Sequence, residues 1–413
     1  MTKQVCVLGS GAIGISCASH LLKRGWDVTL IDAKPPASKT SFGSAGVINS
    51  GAFIPNNNPD LLSDLPAYLS NLHPSVRYNI GYGLRKLPWL IRFFSQAGES
   101  KASQNAHDLF PLVSRASDEH KAMMQQANNS HRYQETGCLK VYREDRPKAD
   151  MSFERRLLSE FGISTDVLTI PELRELEPSL SPIFHSALLI KDAGLVDDPA
   201  ALLREYSASY IHAGGKFKQQ KALSIDPLED GYRLELDDGF LDFDNVVVAA
   251  GPWSGKLLSP LGYNLPLASE RGYHLHFKLA SEGKLSRPVH DVDGAYVMSP
   301  LAQGLRVTTG VEFNQVDAET NASQVLDASQ RVNEAIQIDS QADDDVWCGA
   351  RPSFPDSKPI IGESPHHKGL WFAFGHGHIG FNCGPITGKL LAQAMTGEST
   401  DIDLHAFRAD RFK

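Results

Sequence analysis

At 413 residues the chain is too long for one ordinary hydrophobic core and has the length of two to three domains. Its 41% apolar and 22% charged residues describe a globular protein and exclude disordered, collagen-like and coiled-coil chains. A net charge of −9 without a Lys/Arg block excludes a nucleic-acid-binding surface, and no apolar run approaches the roughly 18 residues of a membrane span.

The first elements in chain order are the most readable. Gln4 to Leu8 is a short apolar run of the kind that forms a buried parallel strand. Gly9, Gly11 and Gly14 follow in G-S-G-A-I-G, then a helix with Ala12, Ile15, Ala18, Leu21 and Leu22 on its apolar stripe. A strand from Val28 to Ile31 closes on Asp32, completing a βαβ unit. Residues 33–60 are rich in Ser, Gly, Asn and Pro and read as loop. Residues 61–180 read as mostly helical, with breaks at Pro66, Pro74, Pro88 and Pro111 and a strand at 138–142. Residues 199–213 form an amphipathic helix closed by Gly214-Gly215. Short strands are expected at 217–223, 232–236, 240–243 and 246–250, then at 273–279, 295–299 and 305–309. A helix at 324–338 precedes a final strand at 370–374, a glycine loop and a helix at 386–395. The opening MTKQVCVLGSGAIG has no leader pattern, and the five cysteines include no C-x-x-C. A reducing, cytoplasmic setting without disulfides or zinc is therefore expected.

The G-x-G-x-x-G stretch between a strand and a helix is a phosphate site. Its glycines permit close approach of a pyrophosphate to the helix N-terminus, whose dipole and free N–H groups favour an anion. Asp32, eighteen residues past Gly14, stands where a carboxylate accepts hydrogen bonds from ribose hydroxyls. One fingerprint implies one dinucleotide. A second buried strand, in DNVVVAAGPWS, ends at Gly251, and GHGHIGFNCGPITGK is a second glycine loop running into a helix. His376 and His378 alternate in that loop and read as a polar lining. No third ligand with metal spacing accompanies them. His366-His367 and the run from Asp343 to Asp345 read as solvated loops.

Together these blocks resemble the D-amino-acid oxidase/dehydrogenase group of FAD enzymes, which includes glycine and sarcosine oxidases, and are most similar to bacterial D-amino-acid dehydrogenases. The resemblance rests on VCVLGSGAIGISCASHLLKRGWDVTLID, TSFGSAGVI, GLVDDPAALL, VVVAAGPWS, ERGYHLHF, YVMSPLAQGLRVTTGVEF, WCGARPSFPDSKPIIG and FAFGHGHIGFNCGPITGKLLA. It implies an α/β fold, with a Rossmann-type FAD-binding domain and an inserted mixed-sheet α+β substrate domain. The expected FAD segments are 1–60, 196–262 and 346–413, and the substrate-domain segments are 61–195 and 263–345.

Carried over by motif, Gly9, Gly11, Gly14 and Asp32 would hold the ADP half, and Ser41, Ala45 and Gly46 the flavin side. Gly251 and the loop Gly375, His376, Gly377, His378 and Gly380 would complete the FAD site. Arg351 would bind the substrate carboxylate, which suits a planar fork that stays charged. Tyr296, Tyr273 and His274 would lie near the substrate, unless Tyr296 is a strand aromatic packing in a core and His274 a hydrogen-bonded structural histidine. The implied reaction is oxidation of the Cα–N bond by hydride transfer to the flavin, giving an imine and then a 2-oxo acid, with D-amino acids as substrates. The alternatives are a secondary-amine oxidase or dehydrogenase (sarcosine, proline, hydroxyproline) and a non-catalytic FAD-bound subunit of a larger complex. FAD is expected to be non-covalent, because Cys348 fits the spacing of flavin-tethering cysteines poorly. A quinone or another protein is the expected electron acceptor. Residues 82–94, YGLRKLPWLIRFF, carry apolar residues beside Arg85, Lys86 and Arg92. They either dock on the inner face of a membrane or cover the substrate domain's own core.

Overall fold

The computed structural model describes residues 3–144, 152–280 and 283–412. The outermost residues of the expected FAD segments, Met1 and Lys413, lie outside them. One sheet is built from β1 (Gln4–Leu8), β2 (Asp27–Asp32), β3 (Lys216–Gln219), β4 (Asn245–Val248), β8 (Ile360–Glu363) and β9 (Leu370–Phe374), in the order β3-β2-β1-β4-β9-β8. All its pairings are parallel except β8–β9. Its inner strands are apolar throughout because both faces are covered. Val5, Val7, Val28, Leu30 and Val247 point into a core with α1 (Ala12–Lys23) and α3 (Gly384–Thr396). Cys6, Leu8, Ile31, Val246 and Val248 point into a second core beneath the antiparallel hairpins Ala222–Leu228, Gly231–Leu236 and Gly239–Phe243. The expected strand 217–223 is thus two strands: β3 extends the main sheet, and the second begins the hairpins.

The chain's head and tail meet where α3 packs on α1. A Cβ on Gly388 would lie 2.4 Å from the Ser16 carbonyl carbon, so the two backbones touch and only glycine fits.

A second, eleven-stranded sheet is organised by β5 (Ala268–Leu279), which pairs with β6 (Gly304–Thr309) and with β7 (Trp347–Ser353). Residues 347–353, grouped with the FAD segments in the sequence, therefore hydrogen-bond into this large sheet. One face of it packs on helix Ser323–Ala335 through Tyr273, Leu275, Tyr296, Met298 and Val307. That helix stops at Ala335, short of the expected 338, and Ile338–Gln341 adds a strand beside β5. The prolines break fewer helices than expected. Pro66 and Pro111 lie in the last turns of helices Pro59–Tyr68 and Glu99–Val113, and Pro88 opens α2 (Leu87–Ser95) in its first turn, where a missing N–H is harmless.

Candidate active site

A cavity of about 840 Å³ runs between the two sheets. At one end lie Gly9, Asp32, Gly251 and Trp253, in the middle Ser41, Ser44 and Ala45, and at the other end Arg351 and the loop from Gly375 to Asn382.

The first end is shaped by close backbone approaches. Gly9 has φ +107°, and a Cβ there would lie 2.5 Å from the Ala249 carbonyl oxygen. A Cβ on Gly14 would lie 1.7 Å from the Gly9 oxygen, so this position brings α1 against the turn without itself lining the cavity. Gly11 and Gly46 are likewise structural and do not line it. Asp32 Oδ2 accepts from the Ser10 amide at 2.7 Å and the Ser10 hydroxyl at 3.0 Å, which fixes the carboxylate on the rim. Ser41 Oγ accepts from the Ala12 amide at 3.0 Å and ties the 41–46 loop to the N-terminus of α1.

At the other end, the Arg351 guanidinium donates to the Gly310 carbonyl at 3.1 Å. It lies over Gly272, where a Cβ would stand 2.4 Å from Nη2. Across the strands, Arg351 is paired in register with the buried Glu270. Burial raises the Glu270 pKa and lowers that of Arg351, and in each case the other residue's charge opposes the shift. His376 is buried with its Nε2 2.9 Å from Thr387 Oγ1, and burial pushes its pKa down to about 3, so the ring is neutral. His378 opens into the cavity beside Asn56, 3.4 Å away.

The three residues expected near the substrate besides Arg351 are not brought to the cavity. On β5, alternate side chains face opposite ways. Gly272 faces the cavity, whereas Tyr273 faces the helix-covered core, with its hydroxyl on Glu312. Tyr296 points the same way as Tyr273 and hydrogen-bonds Arg143 at 3.1 Å, while its neighbour Val297 lines the cavity. His274 is on the cavity side of β5 but is sealed between Trp347, at 4.6 Å, and Phe42, at 6.1 Å. Burial pushes its pKa down to about 2. Cys348 packs against the core of Tyr273, on the opposite side of β7 from Trp347, Gly349 and Arg351.

Other participants carried no sequence signal. Trp347 fills the space over Gly43 and Gly349, where a Cβ would meet its ring at 2.0 and 2.1 Å. Arg306, fully buried, donates to the Phe42 and Ser44 carbonyls at 3.1 and 2.5 Å and to His276 Nε2 at 3.0 Å. His276 Nε2 therefore accepts, and its Nδ1–H donates to Asp343 at 2.7 Å. Asp343, read from the sequence as part of a solvated loop, instead anchors the network that holds the loop of Phe42 and Ser44. His367 is also engaged, 2.7 Å from the Tyr263 hydroxyl. Lys140 and His290 line the Arg351 end from two further strands.

The model of a family described as FAD dependent oxidoreductase, DAO, matches residues 4–394. A D-amino-acid oxidase of Bradyrhizobium diazoefficiens is 30% identical over 420 residues, which cover 99% of each chain. A D-amino acid dehydrogenase of Dechloromonas aromatica is 26% identical over 425 residues, covering 98% of this chain and 100% of the relative. Among solved structures, glycine oxidase from Geobacillus kaustophilus superposes with a TM-score of 0.75 at 20% identity, over 99% of both chains. L-proline dehydrogenase from P. horikoshii superposes with a TM-score of 0.77 at 16% identity, over 100% of this chain and 98% of the other.

Proposed function

The chain belongs to the DAO family of FAD-dependent oxidoreductases, and on that premise we propose that it oxidises D-amino acids to 2-oxo acids through an imine. The observation that carries this reading is that Arg351 shares one cavity with the Gly9 turn, Asp32 and the Gly375–Gly380 loop. The residues fit FAD. The Gly9 turn is open because Cβ atoms are absent where the backbone closes up, Asp32 offers an acceptor at the rim, and the volume suits a cofactor with a small substrate. FAD, when bound, supplies a hydride acceptor.

The protein's own residues bind and orient. The Gly9 turn and the α1 N-terminus would hold the pyrophosphate, and Asp32 would accept hydrogen bonds from the ribose hydroxyls. The backbone of the Gly375–Gly380 loop would offer N–H donors to the flavin. Arg351 would fork onto the α-carboxylate and so orient the amino acid. Burial lowers His274 and His376 so far that neither would act as a strong base, which fits an amine that binds uncharged. Cys348, facing away from the cavity, supports a non-covalent flavin.

The names of the relatives at 26–30% identity support the D configuration. The test is anaerobic mixing with D-, L- and N-alkyl amino acids while flavin absorbance is followed. D-amino acids should bleach the flavin, and bleaching by L-enantiomers alone would reject the stereochemical assignment.

The acceptor in this reading is a quinone or another protein, reached at a membrane surface. No helix among the described residues is long and apolar enough to cross one. Ile80, Leu84, Leu87 and Ile91 are nonetheless exposed beside Arg85 and Arg92. That supports peripheral contact with an anionic bilayer. Reduced enzyme should reoxidise slowly in air and quickly with quinone analogues, and stoichiometric peroxide release at the rate of turnover would overturn this part.

A further inference from the structure

The Arg351 end of the cavity contains a second polar group of side chains that the reaction does not use. Lys140 lies on strand Cys138–Tyr142 and His290 on the neighbouring strand Val289–Asp291, paired in register. His290 pairs with Val297, Val297 with Thr308, and Thr308 with His274, so the row continues across the sheet. Lys140, His290, Val297 and Thr308 all line the cavity. The Arg351 guanidinium is bonded to Gly310, two residues along from Thr308, and Lys140 stands three strands over. At about 4.8 Å per strand, roughly 14 Å of backbone separates them. Side chains reaching in from both sides leave a gap of amino-acid size. Both cations lie close enough to His378 to help burial push its pKa down to about 4.

The charges at this end are balanced. Lys140 Nζ donates to Glu154, which lies outside the cavity lining. Burial opposes charge on Lys140, but Glu154 outweighs it and raises the pKa, so the ammonium persists. Burial, helped by Lys140, pushes His290 down to about 4, which leaves a neutral ring. Thr308 Oγ1 is buried without a hydrogen-bond partner.

Resting on the function proposed above, we infer that Lys140 and His290 form the side-chain subsite and select an uncharged polar side chain, a hydroxyl or carboxamide. An ammonium has three donors, of which Glu154 takes one. An apolar side chain would strip water from Lys140 and His290 and return no hydrogen bond. A side-chain carboxylate would meet Glu154, which already neutralises the lysine. A hydroxyl or amide accepts from Lys140 and exchanges a hydrogen bond with His290, and Ile190 and Val297 close the apolar sides.

The test has two readouts on the flavin-loaded enzyme. Turnover of D-serine, D-threonine and D-asparagine should exceed that of D-valine and D-aspartate in kcat/KM by roughly ten- to a hundred-fold, the worth of a hydrogen bond to a charged group. Binding without turnover, followed by perturbation of the flavin spectrum, should rank 4-hydroxybutanoate above pentanoate and glutarate. Glu154→Gln removes the counter-charge and should move both rankings towards D-aspartate and glutarate. Lys140→Met should erase the advantage of 4-hydroxybutanoate over pentanoate. A wild-type spectral ranking led by pentanoate, or rankings unchanged in both flavin-loaded variants, would overturn the subsite. If no amino acid bleached the flavin, the parent reaction would fall, while the spectral rankings would still decide the subsite.

Discussion

Arg351 and the glycine beneath it form a unit at the scale of single residues. The guanidinium occupies the volume that a Cβ on Gly272 would need, 2.4 Å from Nη2. Arg351→Ala should leave flavin content intact and lower kcat/KM for amino acids by about 2–5 kcal/mol, the usual loss when one partner of a buried charge pair is removed. Gly272→Ala keeps the charge but displaces the fork, and should raise KM in the same direction. Steady-state kinetics on both variants check this, and unchanged saturation in Arg351→Ala would remove it from the site. Arg351 was legible because a motif carries it. Tyr273 and Tyr296 were misplaced because a motif in a strand does not say which face each residue takes. On a strand that alternates core and cavity, a shift of one residue exchanges the two.

Close approach and anchoring decide behaviour at the scale of elements. α1 and α3 touch through Gly388, where a Cβ would fall 2.4 Å from the Ser16 carbonyl carbon. Gly388→Ala should separate the helices, lower the melting temperature and weaken flavin retention together, read by thermal unfolding followed through flavin release. The loop of Phe42 and Ser44 is held from the other sheet by Arg306, whose own pKa burial depresses to about 10. Arg306→Met should therefore weaken flavin affinity although the residue is remote from the Gly9 turn. Wild-type flavin affinity in this variant would show that the loop stands on its own. α2 is buried on one face and exposed on the other. Trp89 is buried with Tyr82, Ala268 and Phe313, while Leu87 and Ile91 are 49% and 62% exposed. Replacing Arg85 and Arg92 by Glu should abolish co-sedimentation with anionic vesicles and leave the buried Trp89 fluorescence unchanged. Sedimentation at the wild-type level would confine α2 to covering the core.

For the whole molecule, buried neutral histidines should lower stability in acid. Burial pushes His20 and His376 down to about 3, His120 to about 4 and His274 to about 2. Each folded value lies below the unfolded value of about 6.5, so between them the unfolded chain binds more protons. Their stabilising contribution is complete above that value and is lost as pH falls towards 4, at about 1.4 kcal/mol per pH unit for each histidine. Urea midpoints should drop from pH 6.5 to 4.5, and His120→Asn should remove one proton from the slope. An unchanged slope in that variant would discard this account. The sequence alone determined the first βαβ unit, because the spacing of Gly9, Gly11, Gly14 and Asp32 is fixed by local geometry within about thirty residues. It also determined the runs of β4 and β9, whose continuous apolar residues follow from burial on both faces. Only the tertiary structure decided what depends on strands meeting from distant parts of the chain. It placed 347–353 in the large sheet, turned Asp343 from a loop acid into the anchor of His276 and Arg306, and brought Lys140 and His290 into the cavity that Arg351 lines. Lys140 and His290 sit in ordinary short strands, CLKVY and VHD, with no local signal. Their shared face is set by register with neighbours about 150 residues apart along the chain, and a register between such distant strands is fixed by packing of the folded whole rather than by any spacing a sequence displays.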